Sequence, residues 1–224
     1  MFEENALTSY LCDQAAIVSL GDDLVLLDIR RNAYFCLPGG ASLVRVAPSG
    51  VRIDDADLAA ELSAVGLLSD AGGTRPMIPV PRPARDLGLK VAERPRATDV
   101  TLILAAWATM FIDYHPRAFG QVVRIAQAGR SERLIAEPAC TPGSDLAALV
   151  AAFERLLPWL PFQGVCFYRA FLLLRVLRWR GFDARWVFGV RTWPFMAHCW
   201  LQVGDAVLDD TADRLEAFKP ILVV

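Results

Sequence analysis

Three residue types suited to nucleophilic catalysis follow one another late in the chain: Cys166, then His198, then the pair Asp209 and Asp210. Cys166 opens an apolar run just after Gly164. A helix starting there would surround the thiol with unpaired amides and the positive end of the helix dipole, which favours the thiolate. The same amides can hold the oxyanion of a tetrahedral intermediate. His198 is one of only two histidines. A carboxylate on the next strand of a hairpin can orient its ring, and the ring can then activate a thiol arriving from a neighbouring helix. Each residue alone has a plainer reading: a small buried cysteine, a satisfied core histidine, a solvated strand end. Together, in this order, they point to thiol catalysis, with either aspartate able to serve as the acid.

The surrounding pattern supplies the required elements. Thr98 or Asp99 caps an apolar helix running to about Tyr114, and Phe119–Ala128 forms a second, shorter one. Ser144 or Asp145 caps a third, Leu146–Leu157, ended by Pro158. Cys166–Arg180 carries apolar residues at 167, 170, 171, 173, 174 and 177, a wide buried stripe, and Gly181 stops it. The period then changes to two: Ala184–Val190 and Met196–Val203 read as strands, and Gly204-Asp205 turns into Ala206–Asp209. Helices first and antiparallel strands after make an α+β arrangement.

The first third of the chain is different. Ala15–Leu20 and Leu24–Ile29 flank the hairpin signal Gly21-Asp22-Asp23, and Ala33–Leu37 is a third strand. A short helix is expected near Ser42–Val46, and a firmer one capped by Asp54 or Asp55 and bearing Leu58, Leu62 and Val65. This half contains no histidine, and binding is its expected job. Prolines at 76, 79, 81 and 83 separate the halves with stiff extended backbone. Charge changes sign there too: residues 1–75 carry 5 basic and 11 acidic side chains, a balance of −6, and the remainder balances at +4. The expected organisation is a recognition domain over 1–75, a linker over 76–95 and a catalytic domain over 96–224.

Composition narrows the class. With 54% hydrophobic residues the 224-residue chain has ample material for a core. A net charge of −2 argues against nucleic-acid binding. Five cysteines without a C-x-x-C pair suit a reducing compartment better than a disulfide or zinc framework. The acidic N-terminus MFEENALTSY lacks the regions of a signal peptide, and the run from Val100 to Ile112 is too short to span a bilayer. A cytoplasmic protein without membrane insertion is expected.

The segments Cys166-Phe-Tyr-Arg169-Ala170, Arg180-Gly181, Gly189-Val190, Pro194-Phe195, Ala197-His198-Cys199-Trp200 and Val207-Leu208-Asp209-Asp210 resemble the B protein of lasso-peptide biosynthesis, a transglutaminase-like (papain-like) cysteine peptidase. The family reads A-H-A-W-V-E near its histidine and N-D a turn later, so this chain departs at Cys199, Gln202 and Asp209. The resemblance implies a Cys166, His198, Asp210 triad, with the final aspartate as its acid. Leu24-Val-Leu-Leu-Asp28 and Tyr34-Phe35 resemble strands of the small, three-stranded, winged-helix-like recognition domain related to pyrroloquinoline-quinone chaperones (PqqD-like). There the leader of a precursor peptide adds as a strand, a case of β-augmentation. Carried over, Tyr34, Phe35 and Leu37 lie on the edge strand, and Leu58 and Leu62 form an apolar wall. The implied partners are a lasso precursor peptide and an asparagine-synthetase-like macrolactam synthetase.

Trp193 and Phe195 are candidate walls of the substrate groove. Gln163 could donate to the oxyanion but reads better as a loop amide, and His115, beside Pro116, reads as a surface or capping residue. Cys199 should face away from His198 into the core. No fourth ligand makes a metal site of the triad, no cofactor is implied, and no G-x-x-x-x-G-K-S/T phosphate loop is present. Two alternatives use the same residues: acyl transfer to an amine, and a non-catalytic carrier of the precursor.

Overall fold

The computed structural model describes residues 8–47, 50–69, 79–87, 95–114, 117–128, 143–161 and 166–224. His115, Cys140, Gln163 and Gly164 lie outside them. In the first third, β2 (Ala15–Leu20), β3 (Asp23–Asp28) and β4 (Ala33–Leu37) form an antiparallel sheet in that order. Gly21, at φ +58°, makes the first turn, a conformation that costs a glycine nothing. Asp28 closes the second by accepting from the Arg30 and Arg31 amides and pairing with the Arg31 guanidinium at 2.7 Å.

A second sheet joins β1 (Thr8–Leu11), β5 (Val44–Ala47), β6 (Gly50–Ile53) and β7 (Leu68–Ser69) in the order β5-β6-β1-β7. The helix expected near Ser42–Val46 is instead a 3-10 turn, Gly40–Ser42, leading into β5. Alternating Val44 and Val46 pair with Ile53 and Val51 across a hairpin, and β-branched residues suit that pleat better than a helix. Among the described residues of this third, α1 (Ala56–Ala64), capped by Asp55, is the one α-helix. The expected three-stranded sheet is therefore present, but a winged-helix-like set of helices is not seen there.

The rest is the expected α+β arrangement. Four helices, α2 (Ala97–Tyr114), α3 (Phe119–Ala128), α4 (Ser144–Leu156) and α5 (Cys166–Trp179), lie within a residue or two of their sequence-predicted bounds. They pack on one face of a five-stranded sheet, in which β9 (Arg185–Arg191) and β10 (Met196–Val203) are paired along their length. The short β11 (Ala206–Val207), then β8 (Arg85–Asp86) in parallel, complete one side. On the other side β12 (Lys219–Val223), unseen in the sequence pattern, pairs with β9; Pro220 is tolerated because this is an edge strand. The short helix α6 (Ala212–Leu215) covers the opposite face, packing Leu215 with Trp200 and Phe218. Of the expected linker, residues 79–87 lie along this sheet: Gln202 donates to the Pro81 carbonyl, and Asp86 accepts from the Ala212 amide.

The halves share a core. One face of the β2–β3–β4 sheet turns Leu24 and Leu26 toward Val44, Val51 and Leu62. The other face turns Val25, Leu27 and Ile29 into the same cluster as Phe153, Leu173 and Trp186. Truncating Leu27, which has no exposed surface, should therefore weaken both halves. All six tryptophans lie between residues 107 and 200. Leu27→Ala should lower the urea midpoint followed by tryptophan fluorescence, by an amount equivalent to about 2–5 kcal/mol. An unchanged midpoint would show that the N-terminal sheet folds independently of the C-terminal half.

Candidate functional site

The thiol of Cys166 stands on the first residue of α5 and is exposed. Its neighbour fixes that turn: the Phe167 ring lies 4.8 Å from Trp186 and 5.1 Å from Phe119, centroid to centroid. Arg169, one turn along, pairs with Glu154 of α4 at 2.6 Å. Such packing gives the helix N-terminus one position relative to the sheet.

His198 lies on β10 opposite Gly189 of β9. A Cβ at Gly189 would come within 2.6 Å of the Trp200 ring, so glycine lets that indole lie against the strand. Trp200 in turn donates to Gln202 at 2.8 Å and stacks beside His198, with Phe218 on a further side at 5.6 Å. These contacts leave the imidazole few alternative orientations.

The two aspartates separate into different tasks. β11 ends at Val207, so Asp209 and Asp210 sit on the bend after it and not on the expected strand. Asp209 accepts from the Leu201 amide at 2.8 Å, taking the place of a strand partner. Asp210 Oδ2 lies 2.6 Å from His198 Nε2, within the range of a charge-assisted hydrogen bond. Arg214 approaches the same oxygen at 3.3 Å from the solvent side.

With Nε2 committed to Asp210, Nδ1 is the ring nitrogen left for the sulfur of Cys166, and the two side chains do interact. Hydrogen bonds from the Cys199 thiol, then from His198, bring the Cys166 thiol down to about 4, against the opposing effect of burial. His198 is raised for the reciprocal reason: its bonds to Cys166 and Asp210 favour imidazolium and outweigh burial. Both shifts favour a thiolate–imidazolium pair. Burial has the opposite effect on Asp209, pushing its carboxyl up to about 7.

Cys199 does face away from His198, as strand alternation requires, and it is buried among the core residues under α5. It interacts with Cys166 nevertheless, so that sulfur meets side chains from both faces of β10. The N-terminal half also contributes. Tyr34 of β4 contacts the Phe195 ring at 5.8 Å, and burial, reinforced by negative charge at Cys166, pushes its phenol up to about 12. Trp193, at the tip between β9 and β10, is largely exposed yet donates to Asp23 at 2.6 Å. Phe195 and Phe35 are exposed as well, whereas Leu37 is half-buried and Leu58 and Leu62 pack inside the N-terminal core. The helix bearing the last two lies against β6 and β7. The structure thus gathers Cys166, His198, Asp210, Tyr34 and Phe195 and leaves Leu58 and Leu62 elsewhere. Sequence reasoning missed the Cys166–Cys199 contact and the reach of Tyr34; neither has a local pattern.

Among the described residues no helix is long and apolar enough to cross a membrane, and no group of three His, Cys, Asp or Glu side chains could hold a metal ion. Residues 114–223 match the family described as the transglutaminase-like superfamily. Over 60 residues the chain is 43% identical to the Microcin J25-processing protein McjB of Escherichia coli, a match spanning 27% of this chain and 29% of that relative. No solved structure gives a significant match. The two matches support the resemblance to the B protein of lasso-peptide biosynthesis.

Two expectations follow from the electrostatics. Because the thiol is lowered, alkylation of Cys166 by iodoacetamide, followed by peptide mass spectrometry, should already be near its plateau at about pH 6. His198→Ala should move the rise toward the ordinary thiol range, about pH 8.5. A wild-type profile rising only near pH 8.5 would contradict the ion pair. For Asp209 the folded carboxyl is raised above its unfolded value of about 3.9, so the folded state holds the proton more tightly. Its burial therefore destabilises the fold increasingly as pH rises from about 4 to about 7, and fully above that. Asp209→Asn keeps an acceptor for the Leu201 amide without the charge. It should raise the melting temperature at pH 8 by several degrees and much less near pH 4; a lowered melting temperature at pH 8 would refute this.

Proposed function

We propose that this chain, whose residues 114–223 belong to the transglutaminase-like superfamily, is a leader peptidase of lasso-peptide biosynthesis. The observation that carries the reading is the short bond between His198 and Asp210 with the lowered Cys166 thiol on the other side of the ring. The Cys166 thiolate attacks the scissile carbonyl, and the resulting oxyanion is held by amides at the start of α5. His198, already protonated, gives its proton to the leaving amine and then takes one from the water that resolves the thioester. Asp210 fixes the ring orientation and stabilises its charge throughout.

Leader recognition falls to β4, which lies at the edge of its three-stranded sheet. A leader segment adding there would bond to the β4 backbone, pass Phe35, and reach the catalytic thiol beside Tyr34, Phe195 and Trp193. This path replaces the wall expected from Leu58 and Leu62, whose side chains are already engaged in the core. The freed core amine would pass to an ATP-using, asparagine-synthetase-like macrolactam synthetase.

Cleavage of a lasso precursor by the purified chain, read by mass spectrometry, tests this. Wild type should release leader and core. Cys166→Ala should release neither, and Asp210→Asn should lower kcat/KM about 10²–10⁴-fold. Cleavage retained in Cys166→Ala would overturn the peptidase reading, and a leader joined to an added amine would indicate acyl transfer in place of hydrolysis.

A further inference from the structure

Beyond favouring the Cys166 thiolate, Cys199 takes no step in that chemistry, yet it stands beside the nucleophile. Leu201 directs both its amide and its carbonyl toward the β11 side of β10: the amide to Asp209 at 2.8 Å, the carbonyl accepting from Leu208 at 2.9 Å. Backbone groups repeat their direction every second residue along a strand, so the Cys199 amide points to that same side. β11 reaches no further than the partner of Gln202, and among the described residues no strand pairs with β10 beside Cys199 there. α5, which begins at Cys166, packs against β10. Both the amide and the thiol of Cys199 favour negative charge on the Cys166 sulfur, which makes the two cysteines neighbours.

We propose that Cys166 and Cys199 are an oxidation-sensitive pair, in which Cys199 captures a peroxide-oxidised Cys166 as an intramolecular disulfide that reversibly blocks the site. The accessibility is graded in the required direction. Cys166 is exposed, whereas Cys199 retains 5% of its surface and lies behind it. Their reactivities are graded too: the Cys166 thiol is lowered, while its neighbour's charge and burial raise that of Cys199, keeping it protonated. Oxidation therefore begins at Cys166.

In the first step the thiolate attacks hydrogen peroxide, the O–O bond breaks, and Cys166 becomes a sulfenic acid with release of hydroxide. In the second, the Cys199 sulfur bonds to the Cys166 sulfur and the S–O bond breaks. The departing hydroxide takes the Cys199 proton and leaves as water. Two electrons pass from the two sulfurs to one peroxide. A dithiol such as dithiothreitol reverses the result by two exchanges, becoming the cyclic disulfide itself. Bond formation requires the sulfurs to close to about 2 Å from hydrogen-bond contact.

The test uses the full chain with a few equivalents of hydrogen peroxide, read by intact mass and by tryptic peptides. Wild type should lose two hydrogens, yield a linked peptide containing Cys166 and Cys199, and return to its starting mass with dithiothreitol. Cys199→Ala and Cys199→Ser should instead carry sulfinic or sulfonic acid on Cys166, which dithiothreitol does not remove. The linked wild-type peptide is decisive even if a variant fails to fold. Wild-type Cys166 advancing to sulfinic acid with no linked peptide, or bridged to Cys12, Cys36 or Cys140, would overturn the proposal. Because the readout is mass and not cleavage, the outcome is independent of the peptidase assignment.

Discussion

β10 is paired with β9 from Met196 to Gln202, but on its other side β11 accompanies only Gln202 and Val203. The rest of the site depends on that inequality. A full-length β11 would fill the space beside Cys199 with a backbone and keep the thiol of α5 away from the imidazole. Stopping at Val207 leaves a gap one helix end wide. It also obliges the chain to satisfy the Leu201 amide by other means, because a buried donor without a partner costs about 1–3 kcal/mol. Asp209 does so, and by holding that residue it sets the next one, Asp210, against His198. The carboxylate is thus placed by the termination of a strand, not by a strand.

Charge in the site is arranged as a short row: sulfur, imidazole, carboxylate, then the Arg214 guanidinium toward solvent. Neighbours in the row are of opposite sign in the resting state, so each charge lowers the cost of burying the next. Asp209, one residue away, has a mainly structural bond to an amide, and burial keeps its carboxyl raised. Two adjacent carboxylates consequently have different environments, and the difference comes from what each faces: an amide for Asp209, and a cationic ring with a guanidinium for Asp210.

Much of this was legible from the chain. The apolar stripe of α5 and the alternation of β10 placed Cys166 at a helix start and His198 on a strand, because local periodicity decides both. The choice of Asp210 over Asp209 came from resemblance alone; periodicity put both on a strand that in fact ends before them. The Ser42–Val46 segment was misread because short apolar runs fit either period, and it was the hairpin pairing of Val44 with Ile53 that decided it. Cys199 faces the core, as alternation requires, but its reach to the Cys166 thiol has no signal in the sequence. Alternation specifies the face of a strand, but it carries no information about a group at the strand's edge. Tyr34 and Leu62 show the same limit across long separations, since which apolar side chain fills a shared core depends on how the sheets stack.

That stacking bears on how recognition and chemistry could be joined. Both faces of the β2–β3–β4 sheet are largely committed, one to Leu62 and its neighbours and the other to Trp186 and the helices, with Phe35 left exposed on β4. A peptide therefore finds only an edge, where backbone bonding is indifferent to most side chains. On the proposed reading, selectivity arises where the added strand ends, against the exposed rings of Trp193 and Phe195 and the phenol of Tyr34. Asp23 and Tyr34 from the N-terminal sheet hold the tip between β9 and β10, the tip that leads directly into His198. A peptide that tightened those contacts would act on the strand carrying His198, so occupancy at the edge and order at the thiol would be coupled through a single hairpin.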